Sequence, residues 1–306
     1  MKIVVTGATG FVGTALVLAL QARGDEITVL SRSAARAKTK LGEVAAIDAD
    51  LETPGPWTAA LANVDAVLHL AGESVGEKRW SARQKQIVRD SRVESTRTLV
   101  EAFAALPVAA RPKVLVSASG TDYYPFAYDT DEFDGDPVPE TDAPGDSFLA
   151  RVCRDWEREA MAAEAHGVRV VCMRTGLVLG PGGALDKLTT PFKFFVGGRI
   201  GSGLQFMSWI HRDDVVAGYI AAATDERFRG GINLVRTSVR NAEFSKALGK
   251  ALGRPSWLPV PGFAVKVAAG EFAEYVLKGR NVVPARLTEL GFTWKYDMLE
   301  AALGAL

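Results

Sequence analysis

A glycine-rich turn directly after a short apolar run constrains the fold of this chain more than any other feature. The run at 2–5 is largely β-branched, and the segment TGATGFVG follows it at once. A helical pattern then covers about 12–23, and a second apolar run covers 26–30. Strand, turn, helix and strand in this order predict a βαβ unit, which is built on parallel strands.

The same alternation continues over the first half of the chain and somewhat beyond. Apolar runs typical of buried strands cover 44–47, 66–70, 113–117 and 169–174, and helical patterns cover 82–106 and 149–166. This order predicts an α/β fold, a Rossmann-type doubly wound parallel sheet. From about Gly180 the alternation fades while glycine and proline become frequent, so we expect a smaller α+β C-terminal subdomain there.

The turn has the GxxGxxG spacing of a dinucleotide-binding site. Gly7 allows a tight turn, Gly10 lets the backbone approach a diphosphate, and Gly13 allows the helix to pack close to the sheet. Backbone N–H groups at the helix start then face an anionic ligand. The residues that we expect to contact the cofactor here are Gly7, Thr9, Gly10, Phe11, Val12 and Gly13. The alternative is a tight turn that binds nothing.

The residues after the second predicted strand indicate which coenzyme binds. NAD-binding folds place an acidic residue there to hold the ribose 2′-hydroxyl, whereas this chain has Arg32 between Ser31 and Ser33. A guanidinium binds a 2′-phosphate through paired hydrogen bonds, and Ser31 adds another hydrogen-bonding group. The sequence therefore predicts NADP(H), with a solvent-exposed surface arginine as the alternative interpretation of Arg32.

Composition argues against several other classes of protein. The 306 residues hold 36 basic and 36 acidic side chains, so there is no net positive charge for binding nucleic acid. The two cysteines and three histidines show neither CxxC nor HExxH spacing, so we expect no metal site. No apolar stretch is long enough to span a bilayer, and the N-terminus lacks the layout of a signal peptide. We therefore expect a soluble cytoplasmic protein that binds neither membrane nor nucleic acid.

Further short motifs follow the ends of the predicted strands. They are Ala49-Asp50-Leu51, Leu70-Ala71-Gly72, Ser117-Ala118-Ser119 and the run from Arg174 to Pro181. With TGATGFVG, these motifs resemble an extended, atypical short-chain dehydrogenase/reductase. Ala71-Gly72-Glu73 and the ending around Pro284 resemble an uncharacterised NAD-dependent epimerase/dehydratase-like subgroup, the "sugar-epimerase family", with a C-terminal domain of unknown function. The resemblance implies further cofactor contacts at Asp50, Leu51, Leu70, Ala71, Gly72, Ser117, Cys153 and Arg174.

The resemblance also implies an active site of Ser, Tyr and Lys, in which the tyrosine moves a proton and the lysine lowers its pKa. Ser119 is in the expected position, but Leu149 and Cys153 stand at the tyrosine and lysine positions. The candidate catalytic residues are therefore Ser119, Tyr124, Tyr123 and Glu73. Both tyrosines and Glu73 have a structural role as the alternative. Thiol catalysis by Cys153 would need a base or a cation beside it.

Two functions follow from these residues. The first is an enzyme, an NADP-dependent oxidoreductase or a nucleotide-sugar epimerase-like protein, whose small-molecule substrate is a nucleotide-sugar or another carbonyl compound. The second is a non-catalytic protein that senses or binds NADP(H) and regulates a partner, since the Tyr-x-x-x-Lys pair is missing. In that case the segment 122–146, with nine acidic residues and no lysine or arginine, is a flap that orders when ligand binds.

Domain organisation follows from the same patterns. We expect 1–175 to form the NADP-binding Rossmann domain, with part of 205–235 returning to it. Residues 176–306 then form mainly the C-terminal substrate-binding subdomain. The resemblance implies a homodimer formed through the long helices predicted at 82–106 and 149–166.

Overall fold

Strands and helices alternate through the first half of the computed structural model, which describes residues 1–126 and 135–305. These elements are β1 (Lys2–Thr6), α1 (Phe11–Ala22), β2 (Glu26–Ser31), α2 (Ala34–Leu41), β3 (Ala45–Asp48), β4 (Ala66–His69), α3 (Ala82–Ala105), β5 (Val114–Gly120), α4 (Phe148–Met161) and β6 (Arg169–Thr175). The predicted strands and helices are all present, with bounds that differ by a few residues.

The remaining elements are shorter and less regular. They are β7 (Leu177–Leu179), α5 (Ala184–Lys193), β8 (Phe206–His211), α6 (Arg212–Thr224), β9 (Gly230–Leu234), β10 (Thr237–Arg240), α7 (Asn241–Ala251), α8 (Gly262–Ala269), α9 (Ala273–Leu277), α10 (Ala285–Glu289) and α11 (Leu299–Gly304). Of the described helices, none is long and apolar enough to cross a membrane.

Seven strands form one parallel sheet in the order β3-β2-β1-β4-β5-β6-β9. The strand order reverses beside β1, and doubly wound sheets bind ligands at such a switch point, outside the carboxyl ends of the strands. The edge strand β9 comes from the C-terminal third of the chain and pairs with β6. The predicted Rossmann-type doubly wound sheet is confirmed.

Helices cover both faces of this sheet because its strands carry apolar side chains on both sides. On one face, α1 and α6 contribute Leu16, Val215 and Tyr219 to the core. On the other face, α3 contributes Leu99 and Phe103. With both faces buried, the open edge at the carboxyl ends of the strands is where a ligand can reach the sheet.

A second, three-stranded sheet organises the C-terminal third. Its order is β10-β8-β7, with β8 parallel to β7 and antiparallel to β10. A separate core that includes Leu179, Phe192, Trp209 and Phe244 joins this sheet to α5 and α7. The smaller α+β substructure expected after Gly180 is therefore present.

The acidic segment 122–146 is described only in part, because 127–134 lie outside the described residues. Its second half contacts the C-terminal third, where Val138 forms a parallel bridge with Val282. Oε1 of Glu140 accepts hydrogen bonds from the backbone N–H groups of Asn233 (3.0 Å) and Arg286 (3.2 Å). That a flap orders when ligand binds stays a prediction.

Candidate functional site

The glycine turn between β1 and α1 leaves little room for side chains. Gly7 has a φ of 66°, and a Cβ there would lie 2.5 Å from the carbonyl carbon of Leu70. A Cβ on Gly13 would lie 2.2 Å from the carbonyl oxygen of Gly7. Gly13 thus lets α1 pack against the turn itself, whereas the sequence suggested the sheet. Gly10 caps α1 without a side-chain hydrogen bond, which leaves the first N–H groups of the helix available to an anion.

Two adjoining cavities, of about 320 and 800 Å³, form one cleft along the carboxyl edge of the sheet. Gly7, Gly10 and the segment 70–73 line both of them. The predicted cofactor contacts in the lining are Gly7, Thr9, Gly10, Phe11, Val12, Gly13, Ser31, Arg32, Asp50, Leu51, Leu70, Ala71, Gly72 and Cys153. The other two, Ser117 and Arg174, are buried outside this lining.

The end of the cleft beside β2 is positively charged. Arg32 is exposed there and lines both cavities, with Ser31 next to it. Lys40 on α2 adds a second positive charge, because its Nζ donates a hydrogen bond to the carbonyl of Thr9 over 2.7 Å. Two cations beside the glycine turn favour a ligand that carries phosphate at this end.

A buried hydrogen-bond chain holds the segment that follows β4. Thr6 Oγ1 accepts a hydrogen bond from the backbone N–H of Ala71 (3.2 Å) and lies 2.8 Å from Nδ1 of His69. The other ring nitrogen lies 3.0 Å from the hydroxyl of Thr96 on α3. Burial lowers the pKa of His69 to about 4, so the ring is neutral near pH 7. A neutral, fully bonded histidine thus fixes Ala71 at the edge of the cleft.

Carboxylates also line the larger cavity, which contains Ser119. Glu73 pairs with Lys78 over 2.9 Å, and this hydrogen bond lowers the pKa of its carboxyl. Asp122, which the sequence did not single out, pairs with Arg280 over 2.9 Å. The ionised Glu73 can accept a proton at neutral pH, and it has none to donate until it has done so.

Arg92 brings a positive charge into the same part of the cleft from α3. Its guanidinium carbon lies 5.3 Å from the ring centroid of Trp156, and a Cβ on Gly72 would be 3.1 Å from it. Burial lowers the pKa of Arg92, whereas the negative charges of Asp122 and Glu73 raise it. This cation is therefore placed to contact an oxygen or phosphate of a bound molecule.

A buried ion pair lies directly behind Ser119. The hydroxyl of Ser119 donates a hydrogen bond to Oε1 of Glu157 over 2.7 Å. Arg174 holds both oxygens of Glu157, through Nε and Nη2, each over 2.8 Å. Burial alone would lower the pKa of Arg174, but the hydrogen bonds and charge of Glu157 raise it above its usual range. Arg174, predicted as a cofactor contact, is thus fully engaged inside the protein.

Tyr124 and Tyr123 pack around the same arginine. The Tyr124 hydroxyl donates to Oδ1 of Asn233 (2.6 Å) and accepts from Nη1 of Arg174 (2.7 Å). The guanidinium carbon lies 3.6 Å from the ring centroid of Tyr123. Burial raises the pKa of both phenols, that of Tyr124 to about 12. Neither ring is part of the cleft lining among the described residues, which supports the structural alternative for both.

One face of α4 lines the larger cavity of the cleft. Leu149, Val152, Cys153 and Trp156 recur at three- to four-residue spacing and all line the cavity. Burial raises the pKa of the Cys153 thiol to about 12, so it is neutral near pH 7 and is not a ready nucleophile. The positions matched to the family's tyrosine and lysine therefore present an apolar side chain and a neutral thiol.

Family models match both parts of the chain. The model of the NAD dependent epimerase/dehydratase family matches residues 3–234. A model described as a domain of unknown function, DUF1731, matches residues 260–306. Both matches agree with the resemblance seen in the sequence.

Individual proteins match over the whole length. The Arabidopsis thaliana "epimerase family protein SDR39U1 homolog, chloroplastic" is 41% identical over 308 residues, covering 100% of this chain and 86% of that protein. The crystal structure of the human epimerase family protein SDR39U1 (isoform 2) with NADPH has a TM-score of 0.81 at 32% identity, covering 99% of this chain and 98% of that one. MoeE5 in complex with UDP-glucose and NAD has a TM-score of 0.76 at 25% identity, covering 100% and 97%.

Proposed function

Since the chain belongs to the NAD dependent epimerase/dehydratase family, we propose that it is an NADP(H)-dependent oxidoreductase or epimerase acting on a carbon that bears a carbonyl or hydroxyl group. A single observation carries this assignment. The continuous cleft holds the glycine turn and Arg32 at one end and Ser119 and Arg92 at the other, with Glu73 lining both cavities between them. Groups suited to a coenzyme and groups suited to a reacting oxygen thus face the same space.

The first end of the cleft fits a phosphorylated dinucleotide. A side chain at Gly7 would collide with the backbone of Leu70, so no side chain covers the turn. The N-terminus of α1 therefore offers free N–H groups to a diphosphate. Arg32 stands where an acidic residue would select NAD. The human relative, crystallised with NADPH, supports the same coenzyme here. NADP(H), when bound, supplies or accepts the hydride.

The second end would orient the substrate oxygen and move its proton. The Ser119 hydroxyl donates its hydrogen bond to Glu157, so the lone pairs of its oxygen are left to accept a hydrogen bond from a substrate hydroxyl. Because that hydroxyl has one proton, its hydrogen bond passes from Ser119 to Glu73 as the carbon is oxidised. Glu73, kept ionised by Lys78, takes up the proton and returns it in the reverse direction. Arg92 stabilises the negative charge that develops on the oxygen.

Nucleotide-sugars are one class of compound to test against this cleft, because the structurally similar MoeE5 was solved with UDP-glucose. A second function, an NADP(H) sensor without turnover, is favoured by a different observation. Leu149 and Cys153 lie on the cleft-facing side of α4, and neither can do the work of the tyrosine and lysine that the family resemblance implies there.

The experiment that separates the two functions follows the absorbance of NADPH with aldehydes and ketones and of NADP⁺ with the matching alcohols, and follows UDP-glucose by chromatography for an epimerised product, because epimerisation leaves the coenzyme unchanged. We expect turnover of at least one compound. Ser119→Ala and Glu73→Gln should each lower kcat by about 100-fold or more, since both act on the proton of the reacting oxygen. Ser256→Ala and Glu243→Gln, the same changes at positions outside the cleft lining, are the controls and should leave kcat unchanged. Tight NADPH binding without turnover of any compound would reject the enzyme and support the sensor.

A further inference from the structure

A third cavity, of about 660 Å³, opens beside the far end of the cleft. It lies between the segment 76–79 and the helices α5, α7 and α8. The apolar side chains that dominate its wall include those of Leu188, Phe192, Phe244, Leu248, Val265 and Phe272. The described structure gives this cavity no occupant from the chain itself, and the proposed chemistry makes no use of it.

The cavity is continuous with the cleft. Gly76, Glu77, Lys187 and Phe272 line both spaces. Lys187 sits at this border and donates a hydrogen bond from Nζ to the carbonyl of Gly76 over 2.5 Å. A molecule whose reacting carbon lies near Ser119 can therefore extend past Lys187 into the apolar space.

Most polar groups at the border of this cavity are already engaged. Lys78 is paired with Glu73, Lys187 is bonded to a backbone carbonyl, and Glu77 adds negative charge. Arg79 also lines the cavity, but it is exposed on the segment 76–79 at this same border. Further inside, Asn241 uses its Oδ1 to accept a hydrogen bond from the backbone N–H of Ile200 over 2.7 Å. Charge concentrates at the border, and the wall beyond it is apolar, which matches a ligand with one polar end.

The segments that form the wall also expose apolar side chains on their outer surface. Phe194, Phe195 and Val196 follow α5, and Trp257 and Leu258 precede α8. The indole nitrogen of Trp257 donates a hydrogen bond to the carbonyl of Phe195 over 3.0 Å, so these two exposed groups lie side by side. An apolar molecule would meet a compatible surface on its way to the cavity.

We propose that this cavity binds the apolar body of an amphipathic substrate, a long-chain carbonyl or hydroxyl compound whose polar reacting end lies in the cleft beside Ser119. The substrate class is then lipid-like and not a nucleotide-sugar. This inference rests on the proposed binding of NADP(H) in the cleft, because the coenzyme defines where the reacting carbon must lie.

The test uses calorimetry on the full-length protein saturated with NADP⁺, titrated with hexanol, octanol and decanol. Burial of methylene groups should tighten the dissociation constant about fifteenfold for each added pair. Ala264→Phe fills the cavity from α8 and should weaken decanol binding at least about tenfold without changing NADP⁺ affinity. Val267→Phe makes a similar change on the exposed face of the same helix and should leave decanol binding unchanged.

Several outcomes would overturn the proposal. These are a dissociation constant that does not depend on chain length, no saturable binding of decanol to the NADP⁺-loaded protein, or UDP-glucose binding that Ala264→Phe abolishes. The alcohol series uses the unmodified chain, so it decides the question even if Ala264→Phe fails to fold. A protein that does not bind NADP⁺ at all would instead reject the proposed function, so the two failures are distinguishable.

Discussion

The hydroxyl of Ser119 donates a hydrogen bond to Glu157 over 2.7 Å, which ties the candidate catalytic serine to a buried ion pair. Because Glu157 is held by Arg174 on β6, the position of Ser119 depends on groups that do not touch the cleft. Arg174 and Ser119 are also register partners in the paired strands β5 and β6. Glu157 and Arg174 are therefore positioning residues.

Replacement of Glu157 by Gln should lower the free energy of unfolding by about 3–5 kcal/mol, because it leaves the buried Arg174 without a counter-charge. Denaturant unfolding followed by circular dichroism measures this. Asp155→Asn is the control on the same helix, since Asp155 pairs with the exposed Arg158 and its loss should cost less than about 1 kcal/mol. Equal, small losses in both variants would contradict the buried ion pair of Glu157 and Arg174 on which the positioning role rests.

Replacement of Arg32 by Asp should weaken NADPH binding by roughly 10- to 100-fold, since charge-assisted hydrogen bonds to the 2′-phosphate are lost and repulsion replaces them. NADH binding should change much less. Arg36→Asp places the same charge change one helical turn further on, outside the cleft lining, and should affect NADPH far less. A loss of equal size for NADPH and NADH, measured by calorimetry, would remove the coenzyme assignment.

Alanine at Gly10 and at Gly13 should have different effects. A Cβ on Gly13 would lie 2.2 Å from the carbonyl oxygen of Gly7, so Gly13→Ala should destabilise the fold by about 1–3 kcal/mol. A Cβ on Gly10 would lie 3.1 Å from the carbonyl oxygen of Gly7, so the fold needs only a small adjustment. Gly10→Ala should therefore keep the melting temperature within a few degrees while weakening NADPH binding. Unchanged NADPH affinity in this variant would argue against a diphosphate at the turn.

The buried His69 predicts a pH dependence of stability. Its pKa is about 4 in the folded protein and about 6.5 in an unfolded chain. Between these values only the unfolded state binds the proton, so stability falls as pH drops from about 6.5 towards 4, by at most about 1.4 kcal/mol per pH unit from this group. Unfolding at about pH 7.5 and about pH 5 should show a smaller difference in His69→Asn than in the unmodified protein. An identical difference in both proteins would contradict the buried neutral state of His69.

The fold was largely predictable because its determinants are local in sequence. The apolar runs, the glycine spacing and the Arg32 position can each be recognised within a few residues. The first two predicted the doubly wound sheet, and Arg32 predicted the coenzyme. The family resemblance and the parallel sheet are both confirmed. The coenzyme prediction agrees with the NADPH in the human structure.

The far end of the cleft was harder to predict because distant residues meet there. Arg92 is one of five basic residues on α3, so nothing in the sequence sets it apart from a surface arginine. Asp122 is one of nine acids in its segment. Tyr124 looked available from its place after β5, but the fold buries its hydroxyl against Asn233, more than a hundred residues away. The apolar cavity of about 660 Å³ depends on how α5, α7 and α8 are arranged, and no local sequence pattern shows this arrangement.

Calorimetry of the unmodified protein with NADPH and with NADH tests the central claim most directly. If the glycine turn between β1 and α1 binds a diphosphate and Arg32 binds a 2′-phosphate, NADPH should bind at one site per chain and at least about tenfold more tightly than NADH. Absence of a binding signal for either coenzyme in folded protein, or tighter binding of NADH, would contradict this account.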